Sequence, residues 1–174
     1  MSKRDLKKYL SGLTKSQLEE QFTALYDKFP EVKTYYNFVF NPREDKIVGE
    51  AKAKISNEYF PVKTKRAKLR RSVAQKFIKQ FLLLGVDPYL VADLMLFNIE
   101  TAQKYAAKRE MRYSSFYTSL LKSFEQSVKF AISSGIASDF RQRFDAIALE
   151  AHRQKWESRF AFDRALETFS DGHL

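Results

Sequence analysis

RRSVAQKFIKQFLLLGVDPYLVADLM, residues 70–95, decides the fold class. Val73, Phe77, Phe81 and Leu84 recur every three or four residues and so share one face of a helix, with Lys68, Arg71, Gln75 and Lys79 on the other side. Gly85 supplies the left-handed residue that commonly ends a helix. Asp87-Pro88 then restarts one, because an aspartate can accept from a free amide and proline lacks only an amide that would be unpaired there. The helix so begun runs towards Ala107, with Leu90, Leu94, Phe97 and Ile99 as apolar members. Helix, terminator, cap and helix follow in 26 residues, with no period-two alternation.

The same punctuation extends in both directions. A first helix covers Lys3 to Leu10, with Ser2 as cap, and stops at Ser11-Gly12. Thr14 and Gln17 form a capping box for a second, whose stripe is Leu18, Phe22, Leu25, Tyr26 and Phe29, and Pro30 ends it. VKTYYNFVFNP (32–42) reads as a short helix, and Asn41-Pro42 as cap and first residue of the next, which reaches about Asn57 before Tyr59-Phe60-Pro61. Downstream, one helix spans about Ser115 to Ser133 before Gly135, and Ser138 caps a last, long one reaching about Phe169.

The expected fold is therefore all-α, about seven helices, some short. The simplest organisation is one domain over 1–174; the alternatives are two lobes, 1–60 and 72–174, joined by a basic connector, 61–71, or a short irregular α-solenoid. The last helix carries two apolar faces: Phe140, Phe144, Ile147, Ala151, Phe162 and Phe169 on one, Leu149, Trp156 and Phe160 nearly opposite. A surface helix needs only one. Either it breaks near Lys155–Ser158, or its second face packs within the chain or against another copy, which makes Leu149, Trp156 and Phe160 the candidate homo-oligomer contact.

Composition excludes several chemistries. Without cysteine there are no disulfides, thiolate metal sites or cysteine nucleophiles. Five isolated glycines form no phosphate-cradling loop, and two histidines, His152 and His173, are too few for the usual zinc site. No catalytic, metal or cofactor-binding residue is assigned. The start, MSKRDLKKYL, has no apolar signal segment, and the longest apolar runs fall far short of the roughly 20 residues that span a bilayer. A cytoplasmic protein without membrane attachment is expected.

The charge is informative because it is concentrated. The chain carries +10, of which residues 61–80 supply +8, with eight Lys/Arg and no acid. Lys63, Lys65, Arg66, Lys68, Arg70, Arg71, Lys76 and Lys79 could line a groove or present a helix to phosphates. They could equally be balanced by acidic helices within the fold, or meet an acidic protein. Exposed aromatics beside such cations would stack bases, and Tyr35, Tyr36, Phe38, Phe40, Tyr113, Phe116 and Tyr117 are candidates for that role or for the core. Asp93 with Glu100 is the carboxylate pair most suggestive of chemistry, ahead of Glu19-Glu20, Glu44-Asp45 and Asp139 with Asp145.

Four segments, SKRDLKKYLSGLTKSQLEEQF (2–22), YYNFVFNP (35–42), EAKAKI with EYFP (50–61) and residues 70–95, together resemble a family of small bacterial proteins known only as a domain of unknown function. The resemblance is close over residues 1–105 and looser beyond, and it carries no activity, substrate or site to transfer. The first two helices also look faintly like small helix–extended–helix DNA-binding modules, through Leu6, Leu10, Leu13, Leu18 and Phe22. Glu19 and Glu20 stand where those modules carry glycine and basic residues. The function expected first is a non-enzymatic module binding nucleic acid or another polyanion. A protein-interaction module comes next, and a carboxylate-dependent hydrolase or transferase last.

Overall fold

The structure, a computed structural model, describes residues 2–64, 66–109, 111 and 113–167. Those residues form nine α-helices and one 3₁₀ turn, and no strand occurs among them. The chain divides into two compact units, residues 1–43 and 44–174.

The first unit holds α1 (Lys3–Ser11), α2 (Lys15–Lys28) and α3 (Pro30–Phe40). The expected capping box of α2 and the Ser2 cap of α1 are present, the latter also as a full box: Asp5 N–H donates to Ser2 Oγ, Gln17 N–H to Thr14 Oγ1, and each carboxyl or amide oxygen accepts from the cap's own N–H. Phe29 ends α2 and precedes α3, with Pro30 as the first residue of α3. Phe22 and Tyr36 meet edge to face at 5.0 Å, and the Tyr26 hydroxyl donates to Asn37 Oδ1 at 2.8 Å. No described residue of this unit is buried. About forty residues cannot enclose a core, so the apolar stripes of its helices remain half-exposed.

The second unit is built around α6 (Pro88–Ala106), packed by α4 (Glu44–Tyr59), α5 (Arg71–Leu84), α7 (Ser114–Ser133) and α8 (Arg141–Arg153), while α9 (Arg159–Glu167) lies on α7 and α8. Val91, Leu94, Leu96 and Ile99 of α6 are fully buried and point in several directions, as a central helix requires. Phe124, Phe144 and Phe162 bring α7, α8 and α9 together, with ring centroids 5.7 and 4.9 Å apart. Ser119, Ser123 and Ser127 line the buried face of α7, each satisfying its hydroxyl on a carbonyl one turn back, which lets a neighbouring helix approach closely.

Two expected boundaries differ. Asn41 caps the end of α3, its N–H donating to Asn37 O, and α4 begins at Glu44, so Asn41-Pro42 closes one helix instead of opening the next. Ser138 opens a 3₁₀ turn, Ser138–Phe140, and α8 follows from Arg141. The helices among the described residues number nine, more than the expected seven or so, and one of the additional helices arises because the last one is two. Lys155 takes φ +55°, a left-handed conformation costing about 1–2 kcal/mol for a non-glycine residue, and Trp156 N–H turns back to Ala151 O. That turn drops Trp156 into the interior, where the indole meets Tyr117 at 5.1 Å and Phe162 at 5.8 Å. Asp87-Pro88 does start α6: Tyr89 N–H donates to Asp87 Oδ1 at 2.7 Å. Gly85 is left-handed at φ +74°, as a terminator should be.

Candidate polyanion interface

Two adjacent arginines with no acid nearby make a poor helix start, because the amino end of a helix favours negative charge. The fold supplies that charge from elsewhere. Glu58, almost fully buried at the end of α4, accepts from Arg70 N–H at 3.2 Å, from Nε at 3.0 Å and from the terminal guanidinium nitrogen at 2.8 Å. Its carbonyl accepts from the backbone N–H groups of Lys68 and Leu69, which holds Leu69 at φ +54°. The Arg70 hydrogen bonds outweigh burial and keep the Glu58 carboxyl below the usual carboxylate range. One glutamate thus fixes the carboxyl half of the basic connector.

This arrangement separates the expected site residues. Arg70 is committed to Glu58. Arg71 is partly buried, its Nε has no hydrogen-bond partner, and burial lowers its pKa against the opposing influence of Tyr59. Tyr59 is itself buried, which pushes its hydroxyl up to about 12. Lys63, Arg66 and Lys68 on the connector and Lys76 and Lys79 on α5 are exposed. Lys65 lies outside the described residues.

Further cations join the connector that a running charge window does not reveal. The rings of Tyr59 and Phe60, at the end of α4, pack on Tyr105, in the last turn of α6, at 6.0 and 5.8 Å. This brings Lys104, Lys108 and Arg109 to the same region; Lys108 Nζ lies 5.6 Å from the Phe60 ring, and the Arg109 guanidinium 5.6 Å from that of Tyr105. Residues 81–110 are acidic overall, so these three were invisible as a cluster. What could have flagged them is the Lys-x-x-x-Lys-Arg spacing at the end of a helix, where cations suit the dipole.

Phe60, 39% exposed, separates two grooves. One, of about 530 Å³, runs between α4 and the start of α5 and is lined by Lys54, Glu58, Val62, Arg70 and Val73. The other, of about 430 Å³, is lined by Lys104, Ala107, Lys108, Glu150 and Arg153. The acid in each is held by an arginine: Glu58 by Arg70, and Glu150 by Arg153, whose hydrogen bonds at 2.6 Å keep its carboxyl low despite partial burial. The surplus charge comes from Lys54, Lys104 and Lys108. None of these three, nor Lys63, Arg66 or Lys68, forms an ion pair among the described residues.

The other sequence candidates are placed elsewhere. Asp93 and Glu100 do come together, on one guanidinium: Arg143 of α8 donates to Asp93 Oδ1 at 2.7 Å and to both Glu100 oxygens at 2.8 and 3.1 Å, while Lys52 of α4 lies 2.5 Å from Asp93 Oδ2. Burial pushes the Asp93 carboxyl up, but Lys52 and Arg143 outweigh it, and its pKa is lowered. A carboxyl so held is a poor proton donor at neutral pH. Asp145 pairs with Arg141, and Glu44 accepts from Asp87 N–H. His152 meets Asp163 at 2.7 Å across the α8–α9 break, and His173, like Phe169, lies outside the described residues. Among the described residues, no three His, Cys, Asp or Glu are grouped to hold a metal, and no helix is long and apolar enough to cross a membrane. Of the proposed self-association face, Trp156 is interior, while Leu149 and Phe160 are 70% and 54% exposed. Phe116 is buried and Tyr113 and Phe40 are exposed, so the aromatic clusters serve both core and surface.

Over residues 1–170 the chain matches a family described as a family of unknown function (DUF6155), and it belongs to that family. No curated protein and no solved structure matches it.

Proposed function

We propose that the protein is a non-enzymatic binding module for a polyanion, engaged by the basic connector together with the carboxyl ends of α4 and α6. The observation that carries this reading is that Lys54, Lys104 and Lys108 line the two grooves at Phe60 without ion-pair partners among the described residues, while Glu58 and Glu150 in those grooves are paired with arginine and Lys63, Arg66 and Lys68 are exposed on the adjoining connector. Clustered unpaired cations bind phosphates or sulfates by releasing condensed counterions, with no need for a base-reading side chain. Lys76 and Lys79, on the exposed side of α5, extend the field.

The test replaces Lys63, Arg66, Lys68, Lys104 and Lys108 together by glutamine, leaving Arg70 and Arg71 in place because Glu58 and the core use them. Binding to labelled heparin fragments and to duplex DNA is followed by anisotropy over a salt series. If about five phosphates are engaged, the wild-type log–log salt slope on duplex is about −4 to −5, and it becomes much shallower in the variant, which keeps only Lys54, Lys76 and Lys79 of these lysines. Unchanged affinity in the variant, or no wild-type binding at about 50 mM salt, overturns the reading.

A further inference from the structure

Resting on the polyanion reading, we propose that the ligand is a single-stranded nucleic acid, and that Phe60 is the platform on which its bases stack. The cations do not form a uniform array. Lys54 lines the groove on one side of Phe60, beside the Glu58–Arg70 pair, and Lys104 and Lys108 line the groove on the other. The surface therefore alternates charge, apolar ring and charge. A sulfated polysaccharide has no flat apolar element to place on the ring, and a duplex hides its bases inside a stiff rod. A single strand offers planar bases and phosphates in alternation, which is the complementary pattern.

Phe60 suits the role because it is both accessible and fixed. It is the last residue before Pro61, its N–H donates to Ser56 O, and its ring rests edge-on against Tyr105, so little ordering is needed when a base arrives. Val62, 92% exposed beside it, adds apolar surface for a sugar or second base. Glu58 and Glu150, which would repel phosphate if free, are each occupied by a guanidinium. Every base has a face to stack, so binding tolerates sequence.

The probes are a labelled oligouridine of about 12 nucleotides, within the range one such surface covers, the corresponding duplex, and a labelled heparin fragment. Phe60→Leu keeps an apolar side chain against Tyr105 but removes the flat face. It is expected to weaken the oligouridine by roughly 5- to 100-fold and to leave heparin within about twofold. Phe60→Trp is expected to retain oligouridine binding and to show quenching of the new indole on addition of the strand, a signal that a purely structural side chain would not give. An unchanged oligouridine affinity in Phe60→Leu with heparin still bound overturns the stacking inference and leaves the polyanion reading standing. Tighter binding of duplex than of single strand does the same, and failure of all three probes to bind removes both.

Discussion

Arg143→Met removes the guanidinium, which also lies 5.8 Å from the Phe140 ring, and leaves an apolar side chain of similar length. Three charged hydrogen bonds disappear, Asp93 keeps Lys52, and Glu100 loses the only ion-pair partner it has among the described residues. Breaking a fully buried pair costs about 3–5 kcal/mol and an exposed one at most ~1. With Asp93, Glu100 and Arg143 side chains 20%, 28% and 32% exposed, the expected loss is about 2 kcal/mol. With a urea dependence of about 2 kcal/mol per molar, the midpoint should fall by about 1 M. Trp156 emission reports the transition. The network also has a pH signature. The folded pKa of Asp93 lies below its unfolded value, so its contribution is complete above about pH 5 and is lost as pH falls through the folded pKa. Asp93→Asn should flatten that acid limb and leave neutral-pH behaviour limited by the lost pair alone. A midpoint shift under about 0.2 M for Arg143→Met, or an acid limb in Asp93→Asn identical to wild type, would refute the assignment of these carboxylates to holding α4, α6 and α8 together.

Trp156→Ala should cost about 3–5 kcal/mol at every protein concentration, because the indole fills the turn between α8 and α9 against Tyr117 and Phe162. Wild-type emission should be blue-shifted and indifferent to dilution; a red shift on dilution would place the indole in a contact between copies. Asp87→Ala should cost about 1 kcal/mol through loss of the cap on Tyr89 N–H, and a thermal midpoint unchanged within error would show that Pro88 alone suffices to start α6.

The helical class and most boundaries were legible because they depend on local chemistry. Ser2, Thr14, Asp87 and Gly85 act through residues at most five positions away, and each does what its type dictates. Asn41-Pro42 misleads because asparagine serves either end of a helix, and the preceding aromatic helix claims it first. The stripe read on α5 is displaced: Phe81 and Leu84 are buried, but Ala74 and Ile78 take the places expected of Val73 and Phe77, which stay partly exposed. Small Ala74 permits close packing, and Phe77 lies under Lys54 Nζ at 5.5 Å. The break after α8 was readable only as an alternative, since nothing local demands φ > 0 at Lys155. The burial of Trp156 is what sustains it. Half of the candidate interface was legible for the same reason. The connector announces its charge in sequence, whereas Lys104 and Lys108 reach it through the packing of Tyr59 and Phe60 on Tyr105, and Lys54 through the groove between α4 and the start of α5.

Whether the basic window is balanced inside the fold turns on which residue type does the balancing. Three arginines take up the acids: Arg70 pairs with Glu58, Arg143 with Asp93 and Glu100, and Arg153 with Glu150, each through two or more guanidinium hydrogen bonds. A planar fork matches a carboxylate and loses little freedom in doing so, whereas an ammonium on a flexible stem keeps its water. Lys52, between Asp93 and the face of Phe97, is an exception, as is the exposed Lys15–Glu19 pair of α2. The acids near the connector are consequently taken up by arginine, and Lys54, Lys104 and Lys108 have no carboxylate partner among the described residues, with Lys54 and Lys108 lying over the Phe77 and Phe60 rings. The backbone that carries Lys68 is held before any ligand arrives: Glu58 accepts from two consecutive N–H groups and offsets the left-handed cost at Leu69, on the order of 1–2 kcal/mol. A polyanion meeting this surface would have lysine side chains to order but little of the carboxyl half of the connector. Removing Glu58 should therefore weaken binding even though it removes a negative charge, the opposite of what charge counting alone requires.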